Sequence, residues 1–195
     1  MTREAKIHRK TTETEVLIEI NLDGVGQGTI STTIAFMDHM LNLFARHGLM
    51  DLVINGKGDT HIDDHHLVED MGICLGDAVK EAIGDKKGIA RYGSATIPMD
   101  ESLCSVVIDL SGRPYLIYNV EFPSKKIGKF DYSLIKEFFK SFSDHSGMNL
   151  HINLIYGKNN HHIAEAIFKA FALALREAVT IHGRIEGILS TKGNL

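Results

Sequence analysis

The chain has 195 residues, a net charge of −4, 44% apolar and 24% charged residues, enough to bury a core as one unit or as two small half-domains. With no Lys/Arg-rich block there is no electrostatic footprint for nucleic acid or an anionic membrane, and no apolar run reaches the roughly 20 residues that span a bilayer. The polar start Met1-Thr2-Arg3-Glu4 lacks the apolar stretch of a secretory signal, so the expected location is cytoplasmic.

In chain order, residues 14–20 alternate as a half-buried strand, and Gly24, Gly26 and Gly28 lead into a second extended stretch, an opening strand pair. Met37, Met40, Leu41, Phe44 and Ala45 recur at helical spacing until Gly48, where the helix is expected to stop, and residues 49–54 resume as a strand. A second helix starts near Asp63-Asp64, with Leu67, Met71, Leu75, Ala78 and Val79 as its apolar stripe, and ends about Gly84. Beyond Gly88 come strands at 95–98 and 102–110, a Gly-Arg-Pro turn, a strand at 115–122, a helix at 133–143, a strand at 149–156 and a helix at 161–180. Cys74 and Cys104 lie among apolar neighbours and read as reduced core thiols.

The second half repeats the grammar of the first. Overlaying Leu52-Val53-Ile54 on Leu150-His151-Ile152 gives an offset of 98, which sets His39 against Glu137, while the His-His pairs at 65 and 161 are offset by 96. The expected fold is α+β, a duplicated half-domain with pseudo-twofold symmetry, residues 1–88 forming one half and 89–195 the other.

Seven of the eleven histidines, His39, His61, His65, His66, His151, His161 and His162, fall in or near these matched segments. On a helix, positions i and i+4 lie nearly above one another whereas i and i+1 diverge by about 100°. His65 therefore pairs with Glu69 and His161 with Glu165, while His66 and His162 look elsewhere. For one His-His pair, polar helix-terminal histidines are as good an explanation as ligation; two pairs with Glu at the same spacing favour metal. Symmetry suggests one ion held by His39, His66, His161 and Glu165, and a second by His65, Glu69, Glu137 and His162. Imidazole and carboxylate corners leave open positions on an octahedral ion such as manganese or iron.

These residues, with Phe36-Met37-Asp38-His39-Met40-Leu41, Asp109-Leu110-Ser111-Gly112-Arg113-Pro114-Tyr115-Leu116 and Ser190-Thr191-Lys192-Gly193, resemble the imidazoleglycerol-phosphate dehydratase family over essentially the whole chain. The resemblance implies dehydration of D-erythro-imidazole glycerol phosphate to imidazole acetol phosphate in histidine biosynthesis, two Mn2+ per subunit, and a homo-oligomer described as a 24-mer. It also implies helices packed on two four-stranded sheets, and the family's ligand pattern agrees with the two sets above. Many members carry His where this chain has Glu137, a position where carboxylate also suits manganese, and the segment before Ser190 lacks a proline often found there. Glu13 matches a substrate-contacting glutamate and is the candidate acid/base, with Asp100 and Glu101 as alternatives. Arg91, Arg113, Lys169, Ser190, Thr191 and Lys192 match contacts to substrate and its phosphate, which needs fixed positive charge and hydroxyl or amide donors. The competing classes are a metal-dependent hydrolase and a metal-storage assembly, neither of which needs convergent Arg and Lys beside an open imidazole-sized site.

Overall fold

The computed structural model describes residues 2–194. Its first half contains β1 (Glu4–Lys10), β2 (Thr14–Asn21), β3 (Gly28–Ser31), α1 (Ala35–Gly48), β4 (Asp51–Gly58) and α2 (His65–Ile83). The second contains β5 (Tyr92–Met99), β6 (Ser102–Asp109), β7 (Tyr115–Asn119), the short β8 (Lys126–Ile127) and β9 (Phe130–Asp131), α3 (Ser133–Ser146), β10 (Asn149–Tyr156) and α4 (Asn160–Val179). The main sheets run β1-β2-β4-β3 and β5-β6-β10-β7, the same order twice. In each, one central pair is antiparallel (β2 with β4, β6 with β10) and the last strand is parallel to its neighbour. The repeat register holds, since β4 and β10 are 98 apart (149 − 51), as are α1 and α3 (133 − 35). The duplicated α+β architecture is thus present.

One local expectation needs correction. The opening strand pair is β1 with β2, whereas β3 leaves β2 and joins β4. β1 escapes the alternation test because it is an edge strand, Glu-Ala-Lys-Ile-His-Arg-Lys, with only Ala5 buried, and charge on an edge blocks unwanted pairing. Helix α1 ends at Gly48 as expected, with Leu49 rather than the glycine in the left-handed position (φ 54) and the chain closing back on Ala45 O.

Alternation on the central strands buries Val16, Ile18 and Ile20 of β2 and Cys104, Val106 and Ile108 of β6. Helix α2 lies on the first sheet through β1 and β2, and α4 on the second through β5 and β6. The shorter helices cross over: α3 of the second half packs on α2 of the first, and α1 of the first packs on α4 of the second. Phe44 of α1, Phe138, Phe139 and Phe142 of α3, and Phe168 and Phe171 of α4 are all fully buried and in mutual ring contact at centroid separations of 5.0–6.2 Å. Fully burying each such ring is worth about 1.5–3 kcal/mol.

The α2–α3 crossing depends on Gly72 and Gly76, one turn apart on α2. A Cβ at Gly72 would lie 2.6 Å from Phe138 O, and one at Gly76 2.7 Å from Phe142 O, so only glycine lets the α3 backbone approach this closely. Both cysteines are buried, and desolvation pushes each thiol up to about 12.

Gly76→Ala is expected to destabilise the protein by about 1–3 kcal/mol through overpacking, read as a lower urea midpoint with unchanged slope. An unchanged midpoint would show that α3 slides to make room.

Candidate metal centre and substrate cleft

The local sequence sets the start of each site-bearing helix. Asp63 Oδ1 accepts from the His65 N–H at 2.8 Å, one residue before the N-cap Asp64 of α2, and Asn159, the N-cap of α4, accepts at Oδ1 from the His161 N–H at 2.9 Å, so equivalent residues fix both turns that enter the histidine pairs. On α1, Asp38 Oδ1 accepts from Thr32 N (3.0 Å) and Thr32 Oγ1 (2.6 Å), fixing the turn that carries His39.

Because α1 packs on α4, His39 meets the i, i+4 pair of the other half. His39 Nε2 lies 3.1 Å and His161 Nε2 3.0 Å from the same atom, Glu165 Oε1, and the two imidazoles stack at 5.4 Å. Lys169, one further turn along α4, donates to Glu165 Oε2 at 2.7 Å. Burial pushes the Glu165 carboxyl up, but Lys169, His39 and His161 outweigh it and hold its pKa at about 2. It is therefore a carboxylate at any physiological pH.

The adjacent histidines diverge, as helical geometry requires. His162 turns to Glu101, Nδ1 to Oε2 at 2.6 Å, and Asp100 is 3.7 Å from its Nε2. His66 turns to Asp59, Nδ1 to Oδ2 at 3.0 Å, with Glu13 3.8 Å from the same nitrogen. Each carboxylate raises its histidine's pKa, and the His162 bond, with the Asn159 N–H, holds Glu101 far below the usual carboxylate range.

Two groups of potential ligands thus form among the described residues: His39 with His161 and Glu165, and Glu13 with Asp59 and His66. Of the first expected set, His66 stands apart from the other three within one chain. The second expected set, His65, Glu69, Glu137 and His162, yields no group of three within 4.8 Å. Glu69 is exposed and Glu137 half-buried, and like-charged carboxylates do not converge without a cation between them.

Of the expected phosphate contacts, Arg91, Arg113, Ser190, Thr191 and Lys192 line one cleft of about 810 Å³ together with Arg184. Arg91 is partly committed there, with Nε and Nη2 on Asp109 at 2.7 and 3.1 Å and Nη1 on Leu189 O at 2.8 Å, which anchors the terminal segment. Lys169 is placed on Glu165 instead of in this cleft. Asp59 and Arg184 are the residues sequence reasoning passed over. Asp59 stands one residue beyond β4 and Arg184 in an irregular tail, where no periodicity marks them.

A duplicated α+β scaffold that gathers imidazoles and carboxylates at the starts of its two core helices, with a basic cleft at the far end of α4 where the Arg91 N–H donates to Ala178 O, is that of a hydro-lyase, as comparison with known proteins establishes. The family model described as imidazoleglycerol-phosphate dehydratase matches residues 32–175. The imidazoleglycerol-phosphate dehydratase of Syntrophus aciditrophicus is 65% identical over 99% of this chain and 98% of its own length, and that of Citrifermentans bemidjiense 58% over the full length of both. Among solved structures, the Staphylococcus aureus enzyme superposes with a TM-score of 0.83 at 43% identity, covering 91% of this chain and 99% of its own. The Pyrococcus furiosus enzyme, in complex with (S)-C348, gives 0.84 at 37%, covering 97% and 100%. The chain belongs to the imidazoleglycerol-phosphate dehydratase family, and its activity is that dehydration in histidine biosynthesis.

A carboxyl lowered from 4.5 to about 2 on folding stabilises the native state above the unfolded value, and that contribution is lost as pH falls through the folded one. Metal-free protein is therefore expected to lose stability between about pH 4.5 and 2 more steeply than its Glu165→Gln variant, as measured by urea unfolding across that range. Parallel profiles would show that Glu165 is not held ionised.

Proposed function

We propose that the chain converts D-erythro-imidazole glycerol phosphate to imidazole acetol phosphate with two Mn2+ per subunit, residues 1–88 and 89–195 acting as two halves that share the ligands. The observation that carries the metal reading is the convergence of His39 and His161 on one ionised oxygen of Glu165, at 3.1 and 3.0 Å. Two imidazoles and a carboxylate on one point form a donor set suited to a divalent first-row ion, with open positions for substrate. His66 completes this set and His65, Glu69, Glu137 and His162 form the other, as the repeat relates them. Lys169 keeps Glu165 ionised and oriented for that role.

The reaction removes a hydroxyl from the carbon attached to imidazole and a proton from the next carbon, with no carbonyl to acidify that C–H bond. Bound divalent ions would supply Lewis-acid stabilisation of the deprotonated ring, whose electrons expel the hydroxyl. Proton transfer falls to Glu13. Thr11 Oγ1 accepts from Glu13 N at 3.1 Å and from Thr14 N at 2.9 Å, fixing the turn, while the Glu13 side chain stays 54% exposed beside His66. Glu101 is ill suited to this step, because His162, Ser102 Oγ and the Lys158 and Asn159 N–H groups all donate to it. Asp100 is more open still, at 72%, and lies on the other histidine. Arg113, Lys192, Ser190 and Thr191 hold the phosphate, and Arg91 holds the tail that brings three of them there.

Because both ligand sets remain incomplete within one chain, we read the active form as a homo-oligomer in which copies supply one another's missing ligands, a 24-mer by family resemblance. A cytoplasmic location fits a biosynthetic enzyme in which no described helix is long and apolar enough to cross a membrane.

Chelator-stripped protein is expected to give no imidazole acetol phosphate and to regain turnover on adding Mn2+, with two ions bound per subunit; turnover unaffected by stripping would exclude the metal role. Arg113→Ala is expected to raise KM at least tenfold while changing kcat less, in line with a loss of about 1.5–3 kcal/mol for a charged hydrogen bond. An equal fall in kcat with KM unchanged would remove Arg113 from phosphate binding.

A further inference from the structure

The duplication is broken at one informative place. By the strand register, β2 and β6 are offset by 88 (102 − 14), so Glu101 of the second half corresponds to Glu13 of the first. By the offset of 98 that relates β4 and β10, Asp59 corresponds to Gly157 (157 − 59). At Gly157 a Cβ would lie 2.6 Å from Ser102 Oγ and 2.7 Å from Ile163 Cγ1, leaving no room for a carboxylate. The second half therefore bonds its outward histidine, His162, with the hairpin acid Glu101. The first half bonds the equivalent His66 with Asp59, and its own hairpin acid, Glu13, stands off at 3.8 Å.

We propose that Asp59 and Glu101 are matched positioning residues, each accepting the Nδ1–H of its histidine so that His66 and His162 are locked in one tautomer and rotamer with Nε2 as the ligand nitrogen. The inference rests on the reading of His66 and His162 as metal ligands. A ring nitrogen that donates to a fixed carboxylate leaves the other nitrogen's lone pair aimed and more basic. Asp59 is fixed through its backbone and burial, Glu101 through its carboxylate. Asp59 is 13% exposed and its N–H donates to Glu13 O at 3.1 Å, so its backbone ties the end of β4 to the β1–β2 turn while its side chain reaches His66 at the start of α2. Glu101 Oε1 accepts from Asn159 N at 2.7 Å, Lys158 N at 3.2 Å and Ser102 Oγ at 3.1 Å, which ties the β5–β6 turn to the start of α4. By taking the bond to His66, Asp59 also leaves Glu13 unengaged, whereas its counterpart Glu101 is fully engaged.

The neighbours of the two carboxylates differ in a way that makes the proposal sharp. Asp59 Oδ1 is buried with no hydrogen-bond partner, so in Asp59→Asn the amide nitrogen meets no opposing donor there while the carbonyl oxygen still accepts from His66. Around Glu101 every partner donates, so Glu101→Gln cannot serve both His162 and the backbone N–H groups.

The test is Mn2+ affinity of the intact protein, measured by chelator competition with the metal alone, with thermal melting to confirm folding. Asp59→Ala, Glu101→Ala and Glu101→Gln are expected to weaken affinity about 10–100-fold, while Asp59→Asn stays within about threefold of the parent. Equal loss in Asp59→Asn and Asp59→Ala would make Asp59 a ligand in its own right, with Glu13 and His66, and overturn the proposal. Unchanged affinity in the alanine variants would show both carboxylates to be idle. His66→Ala and His162→Ala are measured alongside: if they leave affinity unchanged, the ligand reading itself has failed, a result separate from failure of the positioning role.

Discussion

The structure turns on the crossed packing of the two short helices. Had α1 stayed on α2, within its own half, His39 would not meet His161 and Glu165 of the other half. Crossing forces each core helix to meet a residue from the opposite half, and it is tolerated because the interface is built from interlocking phenylalanine rings on one side and from two glycines that admit the α3 backbone on the other. The Glu165 cluster is then a consequence of core packing. Its carboxylate lies beneath two imidazoles and an ammonium group and stays ionised despite burial, so the chain arrives with its charge already arranged.

Much of this was legible in the residues themselves. Two His-His-x-x-Glu segments at matching offsets declare the duplication, and helical periodicity alone joins His161 to Glu165 and turns His162 away. Strong alternation in β2 and β6 and the apolar stripes of α1, α2 and α4 gave the elements that lie over the core. β1 was not legible, because an edge strand facing solvent carries charge where a central strand carries isoleucine. The path of β3 was equally hidden, as four residues with little burial carry no pairing preference.

The site was legible in part, and the limits follow from what spacing can encode. Positions on one helix have a fixed relation, so i, i+4 pairs were found; positions in turns have none, so Asp59 went unnoticed. Lys169 illustrates a different limit. A lysine beside a basic cleft and a lysine one turn beyond a glutamate are the same letter, and only the fold shows that its ammonium group lies on Glu165. The departure from family pattern at Glu137 falls on the expected set that does not gather within one chain.

The terminal segment shows a division of labour along the chain. After α4 it returns to the stretch between the two halves, pairing Ile181 with Ile89 and Ile188 with Lys87, and contributes almost nothing to the buried core. The buried core is therefore complete before this segment begins. The strap that carries Ser190, Thr191 and Lys192 is laced by these two bridges to the stretch of chain that joins the duplicated units, so the tail and the junction hold each other in place.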